Sequence, residues 1–347
     1  MRVLSDLTFS EIENLIISYG EPKYRAKQIY SNLVCAKSIS EMSDIPKSLK
    51  DKLLIDFYDA PVKIVKKLVS KDKTVKYLFE LYDGNIVEGV VMSYKYGRTQ
   101  CLSTQVGCRM GCKFCASTLN GLMRNLSRGE MLFTVALANR DFGGDAKKRE
   151  ITNIVLMGSG EPLDNYDEVV NFLKQLALKE NLNVSPRNVS LSTCGLVDKM
   201  YKLAGEGLPL NLTVSLHAST DENRKKIMPI ANAYSISEII DACKNYFSIT
   251  KRRFIFEYSL VKGVNDSDAD ANNLIKILKG LPCHVNLIRL NEVKESGLKK
   301  TDDKRAYLFA DKLNRGGISA TVRRLVGSDI EGACGQLRNK FVGGNND

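Results

Sequence analysis

Apolar positions recur at helical spacing between residues 8 and 57, and from residue 62 they switch to strand-like runs. Ser10 is placed to cap a helix that begins Glu11-Ile-Glu-Asn-Leu-Ile-Ile. Pro22 opens a second helix through Ala26–Leu33, and Pro46 opens a third. Lys63–Val69, Val75–Leu81 and Ile86–Met92 read as strands, separated by turn signals at Lys71-Asp72 and Asp83-Gly84. The pattern predicts a helical N-terminal accessory domain over 1–60 and an antiparallel β linker over 61–97.

From about residue 98 strands and helices alternate. The strands predicted are Gln100–Thr104, Asn153–Met157, Asn188–Ser192, Asn211–Leu216, Phe254–Leu260 and Val285–Leu290, with a short Ser319–Arg324 at the end. Helical stretches such as Glu168–Ala177, Ile236–Tyr246, Ala269–Lys279 and Ala306–Asn314 lie between them. Six β/α units in series predict an α/β fold with a parallel sheet over 98–340, either doubly wound or a partial barrel. Residues 341–347, Gly- and Asn-rich, are expected to be a disordered tail.

Composition narrows the setting. The chain has 347 residues, 44% of them hydrophobic, and its longest apolar runs are far too short to cross a bilayer. Nine cysteines, an odd number, in a chain opening Met1-Arg-Val-Leu-Ser-Asp without a signal-like core point to a reducing cytoplasm and to thiol chemistry rather than a disulfide scaffold. The net charge of +11 is uneven. Residues 1–86 carry 14 Lys+Arg against 12 Asp+Glu, whereas the remaining residues carry 37 against 28. Clusters such as Arg224-Lys225-Lys226, Lys251-Arg252-Arg253 and Arg323-Arg324 fit a polyanionic substrate such as RNA, and equally an ordinary solubility surface.

The chemistry is carried by Gly107-Cys-Arg-Met-Gly-Cys-Lys-Phe-Cys115, a C-x3-C-x2-C run. Three thiolates, Cys108, Cys112 and Cys115, can hold three irons of a [4Fe–4S] cube and leave the fourth iron open to a chelating substrate. A zinc knuckle is the alternative, but it would need a fourth donor, and neither a nearby His nor a second C-x2-C is present. Gly158-Ser-Gly160-Glu161-Pro162 offers a close-approach turn beside a carboxylate suited to an ammonium group. Ser192, Ser215 and His217, all at strand ends, can supply hydrogen bonds, or can simply satisfy local backbone. In a parallel β/α array, such C-terminal strand ends are where working groups gather. Cys101 and Cys334 stand apart from the iron motif, and Cys334 lies in a small-residue loop; alone, each reads as a buried small hydrophobe. Cys35, Cys194, Cys243 and Cys283 read as structural.

Taken together, Cys101…Cys108-x3-Cys112-x2-Cys115, Gly-Ser-Gly-Glu-Pro, Ser-Thr-Cys-Gly, Ser-Leu-His, Asn-Leu-Ile-Arg-Leu-Asn291 and Gly-Ala-Cys334-Gly-Gln-Leu resemble the dual-specificity RNA adenine-C2 methyltransferases of the radical SAM superfamily (RlmN type). The resemblance spans nearly the whole chain. It implies a partial (β/α)6 barrel, one [4Fe–4S] cluster, and methylation of an adenine in 23S rRNA and in the tRNA anticodon loop. It also implies two molecules of S-adenosylmethionine per turnover, contacted by Gly160, Glu161, Ser192, Ser215, Leu216, His217 and Asn291. Further implications are an electron donor such as flavodoxin or ferredoxin and a monomeric cytoplasmic enzyme without membrane partners.

Carbon 2 of adenine is not nucleophilic, so direct displacement on S-adenosylmethionine is closed to it. By the same resemblance, one S-adenosylmethionine methylates Cys334 and a second yields a 5′-deoxyadenosyl radical that abstracts hydrogen from that methyl group. The resulting radical joins RNA to Cys334. Cys101 then resolves the adduct through a transient disulfide while Glu88 accepts the C2 proton. A related adenine-C8 methyltransferase of the antibiotic-resistance type is the near alternative, disfavoured by Pro162 where that relative often has Ala. A non-catalytic iron–sulfur RNA-binding protein is the remote one, and formation of 5′-deoxyadenosine separates it from either enzyme.

Overall fold

A computed structural model describes residues 1–330 and 332. Three helices lead the chain: α1 (Phe9–Ser18), α2 (Tyr24–Val34) and α3 (Lys47–Asp56). Their positions match the sequence pattern, with one correction at the first cap. Thr8, not Ser10, is the N-cap of α1, and it closes a reciprocal capping box with Glu11 that satisfies two otherwise orphaned amides.

The strands β1 (Val62–Val69), β2 (Val75–Leu81) and β3 (Ile86–Tyr94) pair antiparallel, and β3 pairs in the same sense with β4 (Gly97–Cys101). The predicted first strand of the β/α array, Gln100–Thr104, is displaced: only Gln100 and Cys101 are in strand, and residues 102–104 are not. Those two residues end β4, and just beyond the predicted segment β5 (Gln105–Gly107) pairs with β6 (Leu122–Asn125) in a separate ribbon. That ribbon brackets the cysteine loop. The chain then continues through α4 (Arg128–Asp141), β7 (Ile151–Leu156), α5 (Tyr166–Leu176), β8 (Val189–Thr193), α6 (Val197–Ala204) and β9 (Asn211–Ser215). It finishes with α7 (Asp221–Ile227), α8 (Ile236–Thr250), β10 (Phe254–Leu260), α9 (Asp268–Leu278), β11 (Cys283–Arg289), α10 (Asp303–Arg315) and β12 (Ala320–Val322).

β4, β7, β8, β9, β10, β11 and β12 run parallel in that order, connected by six crossovers. With β1–β3 added at the β4 side they form one ten-stranded sheet whose edges, β1 and β12, remain apart. This is the α/β, open-barrel architecture expected of a radical SAM enzyme. One apolar core runs from Leu4 to Ala320, so the helical N-terminal segment shares buried contacts with the parallel sheet. Arg128 reinforces that seam: its Nε donates to the Asp6 carbonyl. Among the described residues no helix is long and apolar enough to cross a membrane.

α4 was not foreseen from periodicity. Ten of its fourteen residues are buried, so it has no polar stripe to set against an apolar one. Its sequence signature is instead the capping box between Ser127 and Glu130.

Candidate active site

The C-terminal ends of the parallel strands surround a cavity of about 160 Å³. Cys108, Cys112 and Cys115 line one side of it, and Gly160, Glu161, Ser192, Ser215, His217 and Asn291 line the rest. Leu216 is the one expected contact whose side chain points elsewhere; it is fully buried in the core, and its amide donates to the Glu257 carbonyl at 3.1 Å.

The cysteine loop is held by its backbone. Gly107 has φ of +79°, and a Cβ there would come within 2.0 Å of the Gly121 carbonyl oxygen, so only glycine permits this closure of the ribbon. Cys108 N donates to that same oxygen at 2.9 Å, and Lys113 N donates to the Ile227 carbonyl at the end of α7 at 3.0 Å. Thr118 Oγ1 donates to the carbonyls of Cys112 and Cys115. Burial pushes the Cys108 thiol up to about 12, with the charges of Glu161 and Cys115 adding to it, and pushes Cys112 well above its ordinary range for the same reason. Cys108 and Cys112 in such surroundings ionise only against a bound cation. A single zinc ion would need its donors gathered about one point, and among the described residues no three His, Cys, Asp or Glu groups are so gathered. A cube, in which each thiolate meets a different iron, suits three thiols along one wall, two of them buried and Cys115 half-buried.

Across the cavity, Gly160 has φ of +105° and packs on Gln105, where a Cβ would lie 2.6 Å from that residue's own Cβ. Gln105 Oε1 in turn accepts from Glu161 N at 2.9 Å. The Glu161 side chain is fixed at both oxygens: Leu163 N donates to Oε1 at 3.0 Å and Cys194 N to Oε2 at 2.7 Å. Burial raises its carboxyl above the usual range, and these two amides oppose the rise. The result is an oriented acceptor pair for an ammonium group.

His217 sits in the left-handed region, φ +55°, and accepts from Ser259 N through Nδ1 at 2.8 Å. Burial, assisted by the nearby Arg224 charge, lowers its imidazole to about 3, so the ring is neutral and carries its proton on Nε2. Phe114 of the cysteine loop packs edge-on against it, ring centroids 4.6 Å apart.

A second, smaller cavity adjoins the first through Met157, Ile288, Asn291 and Arg323. Val90, Met92 and Cys101 line it together with Val326, which packs against them, Gly332 and the arginines Arg289, Arg323 and Arg324. Glu88 is buried on β3, two residues from Val90 and therefore on the same face; Val90 pairs with Cys101. Cys334 lies outside the described residues, as does the predicted tail 341–347.

Several wall residues carried no sequence signal. Arg224, read as part of a surface basic cluster, is instead fully buried. Its guanidinium donates to the carbonyls of Cys194 (2.6 Å), Leu216 (3.2 Å), Tyr234 (3.3 Å) and Ser215 (3.4 Å), clamping the ends of β8 and β9 together. Cys194, taken as purely structural, lines the large cavity, and so does Glu257 of β10. Asn286 donates to one Glu257 oxygen at 3.1 Å, and the other is buried without a hydrogen-bond partner. His284 is a structural residue, its ring nitrogens bonding Ser319 and Thr321 at the sheet edge.

Comparison with known proteins agrees with this geometry. The profile of the Radical SAM superfamily matches residues 102–275, and that of the Ribosomal RNA large subunit methyltransferase N-terminal domain matches residues 3–56. A probable dual-specificity RNA methyltransferase RlmN of Alkaliphilus oremlandii is 50% identical over 341 residues, covering 98% of each chain. One of the same description from Clostridium novyi is 48% identical, covering 99% of this chain and all of its own. The crystal structure of a radical SAM methyltransferase from Sphaerobacter thermophilus superposes with a TM-score of 0.93 at 41% identity, covering 98% of this chain and 100% of that one.

Proposed function

Because the chain belongs to the RlmN family of radical SAM RNA methyltransferases, we propose that it methylates carbon 2 of adenine in 23S rRNA and in the tRNA anticodon loop, through a methyl group carried on Cys334. Cys108, Cys112 and Cys115 would hold the [4Fe–4S] cluster. When bound and reduced, by a donor of the flavodoxin or ferredoxin type, the cluster supplies an electron that turns S-adenosylmethionine into a source of a carbon radical. Glu161 takes the ammonium group of S-adenosylmethionine, with Gly160 giving close backbone approach. Ser192, Ser215, Asn291 and the Nε2–H of His217 hold its remaining polar groups.

The observation that carries this reading is the pairing of the two cavities. Cys101 and Gly332, the latter two residues before Cys334 in the chain, both line the smaller one, beside the cluster cavity. In the proposed reaction the Cys101 thiol attacks the sulfur of Cys334, breaking its bond to the RNA-bound carbon as the disulfide forms. Glu88, on the same face, takes the C2 proton. The target adenine enters unstacked from its neighbours, since a stacked ring keeps carbon 2 out of reach.

Two variants test the assignment. Cys334→Ala is expected to keep iron and S-adenosylmethionine binding yet yield no methylated RNA. Cys101→Ala is expected to accumulate protein covalently joined to RNA, seen as a shifted band that nuclease collapses. Normal turnover by Cys101→Ala, or absence of any adduct, refutes the two-cysteine mechanism.

A further inference from the structure

Lys76 on β2 and Glu88 on β3 form an ion pair, Nζ to Oε1 3.0 Å, with side chains only 6% and 5% exposed. Every other ion pair among the described residues leaves at least one partner more open; even Arg124–Glu130 and Arg323–Glu257 keep a guanidinium that is 24% and 28% exposed. A buried pair is a poor stabiliser, because desolvating both charges cancels most of their attraction and apolar side chains of similar size often serve as well. Its presence therefore asks for a reason other than stability.

The strand register supplies one. Lys76 is opposite Val90, and Val90 is opposite Cys101, so the three stand in a row across β2, β3 and β4. Glu88 lies two residues along β3 on that same face, and Ser103 Oγ, just beyond β4, donates to its carbonyl at 2.8 Å. Val90, Met92 and Cys101 on this face form an apolar cluster, and all three line the smaller cavity. A carboxyl group among such neighbours tends to keep its proton and then cannot accept another.

We propose that Lys76 is a positioning residue for the release step: its ammonium group holds Glu88 as an oriented carboxylate on the acceptor face, ready to take the C2 proton from the RNA–Cys334 adduct. This rests on the reading of Glu88 as the base. In the step, the proton moves from C2 to a carboxylate oxygen and the electron pair of the C–H bond stays with the adenine ring. The carboxylic acid left beside a buried ammonium is then disposed to lose that proton to water once product leaves, which resets the pair.

The test compares Lys76→Met, Lys76→Arg, Glu88→Gln and the double variant K76M/E88Q, each checked for thermal unfolding and iron content, then followed for adduct formation and adduct release. K76M is expected to form the RNA adduct at the wild-type rate but to release it at least about a hundredfold more slowly, the range a general base contributes. The adduct band would then persist although Cys101 is intact. K76R, which keeps the charge, should recover most of the release rate. E88Q should stall at the same stage, and the double variant should be no slower than either single one, because both act on one step. Should K76M fail to fold, Lys76→Gln carries the same comparison. Wild-type release by K76M while E88Q stalls overturns the role of Lys76 and leaves Glu88 as the base. Wild-type release by E88Q overturns both, and a folded, iron-loaded K76M that forms no adduct shows that Lys76 acts earlier and overturns the inference.

Discussion

The large cavity is tied together by main-chain hydrogen bonds to the groups that face it, whereas the smaller one beside it sets the apolar row Val90, Met92 and Cys101, with the Lys76–Glu88 pair on the same sheet face, against Arg289, Arg323 and Arg324. The first is a preorganised site: Glu161, His217 and the cysteine loop each have their direction fixed before any ligand arrives. The second offers an apolar sheet face against which a base can lie, and arginines around it that suit the phosphates of the strand carrying that base. The contrast fits the division of labour in the proposed reaction. Cofactor and co-substrate need fixed polar partners, and a flipped aromatic base needs a flat, largely apolar berth with chemistry at one edge.

The hardest way to break this division is at the cluster. Cys112→Ala is expected to lose the cluster, since two thiolates do not hold a cube, and anaerobic reconstitution should give little iron and no brown chromophore. Cys101→Ala, across the boundary, should reconstitute as the wild type does. Full iron content in Cys112→Ala would remove the cube from this wall, and iron loss in Cys101→Ala would mean that the two cavities are not separate in function.

A weaker effect is expected at Glu161. Glu161→Gln keeps the size of the side chain but turns a carboxylate oxygen facing Cys194 N or Leu163 N into an amide group. Losing a charge-assisted contact to the ammonium of S-adenosylmethionine should weaken its binding by about 1.5–3 kcal/mol, read by equilibrium dialysis. RNA affinity should be unchanged. A parallel loss of RNA affinity would show that the smaller cavity borrows its shape from the larger.

The same contrast explains what the sequence revealed. Cys108, Cys112, Cys115, Gly160 and Glu161 sit in short motifs because a loop that wraps a cofactor must solve its geometry within a few residues, and glycines with positive φ mark the places. Lys76, Arg224 and Glu257 were invisible, because each acquires its role from a partner on another strand or loop. Arg224 is the clearest case, since as part of Arg224-Lys225-Lys226 it looked like surface charge, yet it bonds four carbonyls in the interior. Likewise α4 escaped notice because a helix buried on all sides loses the periodicity that would reveal it. The strands β10 and β2, by contrast, match the pattern at both ends, because short runs rich in aromatic and branched residues mark a strand even where, as here, nearly every residue is buried.

Near neutral pH the effect of His217 is nil, and it emerges only on acidification, as a pH dependence of stability. Its imidazole is held at about 3 in the folded chain, against 6.5 for an unperturbed histidine. Between these values the unfolded chain binds a proton that the folded one refuses, so the unfolded state gains stability as pH falls. The contribution of His217 is therefore fully present above about pH 6.5 and is lost on acidification toward 3, at a slope of at most about 1.4 kcal/mol per pH unit. His217→Gln cannot titrate. The unfolding free energies of wild type and variant in urea, subtracted at each pH, should give a difference that is flat from pH 8 to about 6.5 and then falls in disfavour of the wild type. Contributions common to both chains, including acid loss of iron, cancel in the subtraction. A difference that stays flat below about pH 6 would mean that the ring takes up its proton in place, and the neutral Nε2–H donor assigned to the large cavity would have to be given up.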